Sequence, residues 1–366
     1  MLRTAFDGRL VIVGAGLSGL LAAHRLQAHG RYDVVVLEAR SRAGGRVLSV
    51  PGAGFDLGAT WLWPQVQPPL QSLIEELTLP TAMQPEEGEL LWERTRGQPP
   101  LRVAAHVSAP PAWRLPGGMA MLTEALLARL RPGTVRFGHV VRRIASVASE
   151  VQLEVEHAGH GTGMRADHVL LAVPPRLAAQ GIDWAPVLPA ELAGSWQACD
   201  TWMAPHAKYL AAYDEPFWRS EGLSGAARSA VGPLAEVHDA STPGGAALFG
   251  FIGVPALARA RVSADDLKAH CRAQLVRLFG SRAAMPCSEH LQDWAQEPFT
   301  STPDDVSGHV DHPVAGLPRS AGQGAWHGRL TAIGSEWSPD FPGYLAGAVQ
   351  AAESGVAAWL AERFGT

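Results

Sequence analysis

The chain has 366 residues, 47% hydrophobic and 18% charged, with 30 Lys+Arg against 35 Asp+Glu for a formal charge of −5. That composition excludes a wholly disordered chain and argues against a general nucleic-acid binder, which carries a basic excess. Cys199, Cys271 and Cys287 have neither metal-ligand spacing nor the density of a disulfide scaffold. At roughly 150 residues per domain the length suggests two domains. No apolar run reaches about 18 residues and the start lacks a signal-peptide pattern, so the expectation is a cytoplasmic protein that does not enter a membrane.

Leu10-Val11-Ile12-Val13 is a continuous apolar run, the pattern of a strand buried on both faces. It leads into Gly14-Ala15-Gly16-Leu17-Ser18-Gly19 and a helical run with apolar Leu17, Leu20, Leu21 and Leu26, which Gly30 is placed to stop. Asp33-Val34-Val35-Val36-Leu37 reads as a second buried strand ending in Glu38. Together these predict a dinucleotide site. Gly14 permits the tight turn, Gly16 lets backbone approach a pyrophosphate, Gly19 lets helix and strand pack closely, and Ser18 sits in the same turn. Glu38 can accept the adenosine ribose hydroxyls, and its charge disfavours the 2′-phosphate of NADP.

Glu38-Ala39-Arg40-Ser41-Arg42-Ala43-Gly44-Gly45-Arg46 adds a second glycine pair and several arginines, and Phe55-Asp56-Leu57-Gly58-Ala59-Thr60-Trp61 follows. Here the chain resembles the flavin-containing amine oxidase family, in which such blocks wrap FAD. The resemblance recurs at Leu115-Pro116-Gly117-Gly118-Met119, at Val173-Pro174-Pro175, from Lys208 to Arg219, and at Trp294-Ala295-Gln296-Glu297-Pro298-Phe299. It ends with Gly334-Ser335-Glu336 and Gly343-Tyr344-Leu345-Ala346-Gly347-Ala348, which opens a helix to about Leu360. The resemblance implies FAD contacts at Ala39, Arg40, Gly45, Arg46, Gly58, Ala59, Thr60, Trp61, Val141, Trp294, Gly334, Glu336, Gly343, Tyr344, Leu345 and Ala348. It also implies that Lys208 reaches flavin N5 through a water and that Tyr344 forms one wall of an aromatic cage. A lysine inside an apolar, strand-like run is unusual in itself, because a buried ammonium needs a polar partner.

Departures from the pattern bear on the substrate. The segment between Trp61 and Pro116 is short, and Thr300-Ser301-Thr302-Pro303-Asp304 stands where monoamine oxidases place a flavin-linking cysteine and a cage tyrosine. FAD is therefore expected to be non-covalent. Pro64 to Pro69, Gln98 to Pro111 and Thr242 to Gly245 read as loops. His309 and His312 lie three apart with no third ligand nearby, so no metal is expected.

The fold expected is α/β: an FAD-binding doubly wound, Rossmann-like domain from 1–80, 116–197 and 297–366, and a smaller sheet-based substrate domain from 81–115 and 198–296. The resemblance implies oxidation of a small-molecule amine to an imine by net hydride transfer to flavin N5, with reoxidation by oxygen to hydrogen peroxide. The alternatives are a flavin desaturase or isomerase acting on a non-amine, such as a carotenoid or porphyrinogen, and a non-catalytic flavoprotein. The oligomeric state is not legible.

Overall fold

The computed structural model describes residues 6–104, 108–307 and 311–364. Strand β1 (Gly8–Val13) runs into helix α1 (Leu17–His29), which Gly30 ends in the left-handed region at φ 70°, and strand β2 (Tyr32–Glu38) returns parallel to β1. A five-stranded sheet, parallel throughout, has the order Leu330–Ala332, His168–Leu171, β1, β2, Val135–Phe137. Its central strands are covered on both sides, which is why they read as unbroken apolar runs. Leu10, Ile12, Val34 and Val36 face α1 and the helices Ala120–Arg129 and Leu345–Phe364. Val11, Val13, Val35 and Leu37 face a four-stranded sheet through Val141, Ile144 and Leu153.

Contact between α1 and β1 depends on Gly19. A Cβ there would lie 2.0 Å from Gly14 O, so only glycine lets the helix start so close to the strand end.

A separate seven-stranded sheet has the order Ser288–Asp293, Ala207–Tyr213, Ala246–Ile252, Leu234–Asp239, Leu223–Ser229, Glu89–Glu93, Leu101–Ala104. One face packs on helix Ala264–Phe279 through Tyr209, Ala211, Leu248, Cys271 and Leu275. The other packs Leu210, Ala247 and Phe249 on Phe55 and Leu57. The α/β architecture expected from the sequence is therefore present.

Two predicted loops differ. The 98–111 stretch contains the strand Leu101–Ala104, whose side chains are all exposed; backbone pairing with Glu89–Glu93 makes it a strand, and no hydrophobic alternation announces it. The 64–69 stretch already enters helix Pro68–Glu76, where proline is tolerated because first-turn amides lack helical partners. His309 lies outside the described residues. No helix among the described residues is long and apolar enough to cross a membrane.

Gly19→Ala should destabilise the fold by about 1–3 kcal/mol through overpacking, measured as a lower denaturant midpoint with unchanged slope. An unchanged midpoint would show that α1 can retreat freely.

Candidate functional site

A cavity of about 880 Å³ runs from the carboxyl ends of β1 and β2 to the inner face of the seven-stranded sheet. At the first end its wall carries Gly14, Gly16, Ser18, Glu38, Ala39, Arg40, Gly45 and Arg46, with Val141 from the four-stranded sheet. The nearest atom to a Cβ built on Gly16 is Gly44 O at 3.9 Å, so open space lies where a side chain would stand. The N-cap of α1 makes no side-chain hydrogen bond, which leaves first-turn amides available to an anion. Glu38 is 3% exposed; its Oε2 accepts from Ala15 N at 2.8 Å and its Oε1 from Arg40 N at 2.9 Å. This carboxylate thus ties the turn after β1 to the turn after β2, with its remaining lone pairs available to two hydroxyls.

The arginines do different work. Arg40 pairs with Glu297 Oε2 at 3.0 Å and donates to Thr300 Oγ1 at 2.8 Å. Arg42 turns inward, donating to Ala43 O and Gly45 O at 3.2 and 3.0 Å; burial, then Arg40, lowers its pKa. Arg46 donates to Ser335 Oγ at 3.1 Å and stands 2.7 Å from Glu336 Oε1. That last contact is an ion pair without hydrogen-bond alignment, so Glu336 Oε1 remains short of a hydrogen-bond partner.

Near the sheet, Gly58, Ala59, Thr60, Trp61, Trp294, Gly334, Gly343, Tyr344, Leu345 and Ala348 complete the wall around Lys208. Gly19 and Glu336 are the two sequence-selected residues that do not line it. Gly19 is spent on packing, and fully buried Glu336 stands behind Arg46 and Ser335. Lys208 is 3% exposed, and Nζ donates to Asp56 O, Gly58 O and Thr60 Oγ1 at 3.2, 2.8 and 2.6 Å. Phe249 lies beneath the ammonium, with its ring centroid 4.3 Å away. All three N–H directions end on protein, so a water-linked contact requires one of them to be released. Burial pushes the Lys208 pKa down to about 7, opposed by Asp56.

The sequence patterns missed the segment from Cys199 to His206. Trp202, Met203 and His206 from this segment line the cavity, as does Arg259. Two buried arginines and their carboxylate partners pin the segment. Arg176, paired with Asp305 and Asp200, donates to Gln197 O, while Asp305 Oδ1 accepts from Thr201 N. Arg259, paired with Asp293, donates to Pro205 O. Met203 between them has φ 64°, a strained value for a non-glycine residue. Rings continue across the gap: Tyr344 to His312 at 4.8 Å, His312 to Trp202 at 4.6 Å. Glu236 was missed too; it lines the sheet end, with His238 Nε2 3.4 Å from its carboxylate. That hydrogen bond, first among the causes, holds the Glu236 pKa below its ordinary value.

A family profile for flavin containing amine oxidoreductases matches residues 89–358, and one for NAD(P)-binding Rossmann-like domains matches residues 12–77. Putrescine oxidase from Kocuria rosea is 46% identical over 91 residues, 24% of this chain and 19% of that protein. Polyamine oxidase 1 from Oryza sativa subsp. japonica is 45% identical over 96 residues, 25% of this chain and 18% of that protein. The chain thus spans about a fifth of the length of these two relatives. Cyclohexylamine oxidase from Brevibacterium oxydans superposes with a TM-score of 0.78 at 22% identity, covering 98% of this chain and 99% of that one. A putrescine oxidase bound to putrescine gives 0.77 at 22% identity, covering 97% and 99%. At that identity the likeness speaks for the fold.

Depression of the Lys208 pKa from 10.5 to about 7 means that folding favours the unprotonated amine. Its contribution to stability therefore rises as pH climbs from about 7 towards 10.5. Lys208→Met should lack that rise when unfolding free energies of the apoprotein are compared at about pH 7 and about pH 9.5. Parallel pH dependences would show that the amine is not held in a dry site.

Proposed function

The chain belongs to the flavin containing amine oxidoreductase family, and on that premise we propose that it is an FAD-dependent amine oxidase whose substrates carry a second cationic group. The observation that supports the reading best is a single cavity bordered by Gly16 and Glu38 at one end and by Lys208, Tyr344 and Glu236 at the other. The open position at Gly16, the uncapped α1 terminus and the buried Glu38 carboxylate fit the diphosphate and ribose of FAD. Bound there, FAD supplies the two-electron acceptor that oxidation of an amine to an imine requires. The cofactor is held without a covalent bond in this proposal, since Cys199, Cys271 and Cys287 all lie off the cavity wall.

The protein's own groups bind and orient. The Tyr344 ring draws the amine by its negative face, and apolar walls at Trp61, Phe251 and Trp202 favour the neutral amine by excluding water. Oxygen is the proposed acceptor, with hydrogen peroxide as the product to be read. Division of the chain into FAD segments 1–80, 116–197 and 297–366 and a substrate portion 81–115 and 198–296 belongs to the same proposal. It is supported by Glu89–Glu93 and Leu101–Ala104 joining the sheet formed by the later segment.

Register favours the second cationic group. Lys208 pairs with Phe251, and Phe251 with Glu236, so Lys208 and Glu236 stand two strands apart in one row. At ~4.8 Å per strand their backbones are about 10 Å apart. Glu236 is the one carboxylate on the cavity wall besides Glu38, among the described residues.

Acid precipitation should release the flavin into the supernatant, and Glu38→Gln should weaken its retention about tenfold to a hundredfold by loss of charge-assisted bonds. Gln keeps an acceptor for one of the Ala15 and Arg40 amides, where Glu38→Ala would leave both without one. Flavin that stays with the pellet, or unchanged retention, contradicts these assignments. On a panel of monoamines and diamines, peroxide release should favour diamines, and Glu236→Gln should raise KM for diamines about tenfold while sparing monoamines. Absence of peroxide with every amine removes the oxidase reading; equal losses on both classes remove the role of Glu236.

A further inference from the structure

The buried Asp56 carboxylate has no part in the reading above. Asp56 is 6% exposed and lies off the cavity wall, directly behind Lys208. Its Oδ1 accepts from the Ser49 hydroxyl at 2.6 Å and from Met119 N at 2.8 Å, while Ser49 Oγ accepts from Ala120 N at 3.0 Å. Its backbone carbonyl is one of the three oxygens that hold the Lys208 ammonium. One residue thus fixes the ammonium through its main chain and anchors the turn, through its side chain, to the start of helix Ala120–Arg129.

We propose that Asp56 is a positioning residue for the reaction: it holds the 56–60 turn around Lys208 and supplies the counter-charge that keeps an ammonium on the cavity wall. Two opposite charges in one dry region sustain each other, and removal of either leaves the other uncompensated. Burial drives Asp56 up and Lys208 down, and the charge of each opposes the shift of the other. Arg114 is the further cation acting on both; its guanidinium donates to Ser241 O, and it faces the buried Asp239. The inference rests on the cavity being the flavin site, where an ammonium favours the electron-rich, reduced ring by charge alone.

Sulfite reads that charge without turnover, because it adds reversibly to flavin N5 and binds more tightly beside a cation. Wild type, Asp56→Asn, Lys208→Met and the double variant, each loaded with FAD, are titrated with sulfite at one pH between about 6 and about 7. Asp56→Asn keeps an Oδ1 acceptor for Ser49 and Met119 and removes only the charge. It should weaken sulfite binding about two- to fivefold, the loss of ammonium population that a one-unit fall in the Lys208 pKa brings in that pH range. With Lys208 already replaced by Met, the same change should leave sulfite binding equal or tighter, since only a negative charge is lost. Unchanged affinity in Asp56→Asn, or tightening in both backgrounds, overturns the proposal. Ser49→Ala provides a second route if Asp56→Asn takes up no FAD. It withdraws a hydrogen bond that stabilises the Asp56 carboxylate, so it should weaken sulfite binding only when Lys208 is present, and equal effects in both backgrounds overturn the claim. Wild type that takes up no FAD overturns the cofactor reading together with this one; normal uptake with no sulfite effect overturns this one alone.

Discussion

An ammonium buried against three oxygens of one short turn ties that turn to the seven-stranded sheet. Lys208 stands on the strand next to one edge of the seven-stranded sheet, and its acceptors at Asp56, Gly58 and Thr60 are about 150 residues away in the chain. Burying such a charge is tolerable only while its partners stay in place, so the turn cannot move without the strand. Asp56 carries the constraint on to Met119 and the next helix. Phe55 and Leu57 of the same stretch pack on Leu210, Ala247 and Phe249, so the polar contact and apolar packing hold the turn against the sheet together.

Opposite Lys208, the protein solves a different problem. The segment from Cys199 to His206 is irregular, yet it presents Trp202, Met203 and His206 to the cavity. Irregular backbone holds a shape only when its polar groups are satisfied. Arg176 and Arg259 do this from the two sides, each paired with carboxylates beside it. The Tyr344–His312–Trp202 ring series then closes the gap between this segment and the C-terminal helix. His312 Nδ1 lies 3.3 Å from Pro313 O, which assigns the proton to Nδ1 and leaves the buried Nε2 lone pair without a partner.

Local features were legible in the sequence and long-range ones were not. Gly14 to Glu38 could be read because a strand, a turn, a helix start and a second strand each leave a mark within a few residues. Lys208 was visible as an oddity, but its acceptors were not, since nothing in a strand's pattern names a turn so distant in sequence. Glu336 sits in a recognisable signature and still stands one layer behind the wall, because motif membership does not separate contact from support. Trp202 and His206 left no signal: they occupy a stretch without periodicity, and their position comes from arginines elsewhere. Leu101–Ala104 was read as loop for the same reason, being held by backbone bonds to its neighbour alone.

On the proposal that a substrate spans Lys208 and Glu236, the seven-stranded sheet acts as a ruler. Gln292, Lys208, Phe251, Glu236 and Arg228 occupy successive strands in one row. Along a strand, side chains on a given face recur at every second residue; across strands, they recur at every strand. A molecule extended along this row is therefore measured in whole strand spacings. Transferring the acid from position 236 to 251, which also lines the cavity, would shorten the span by one graduation. Ligand length in such a pocket changes by steps of about 5 Å, not continuously, so relatives sharing this sheet would divide into discrete length classes.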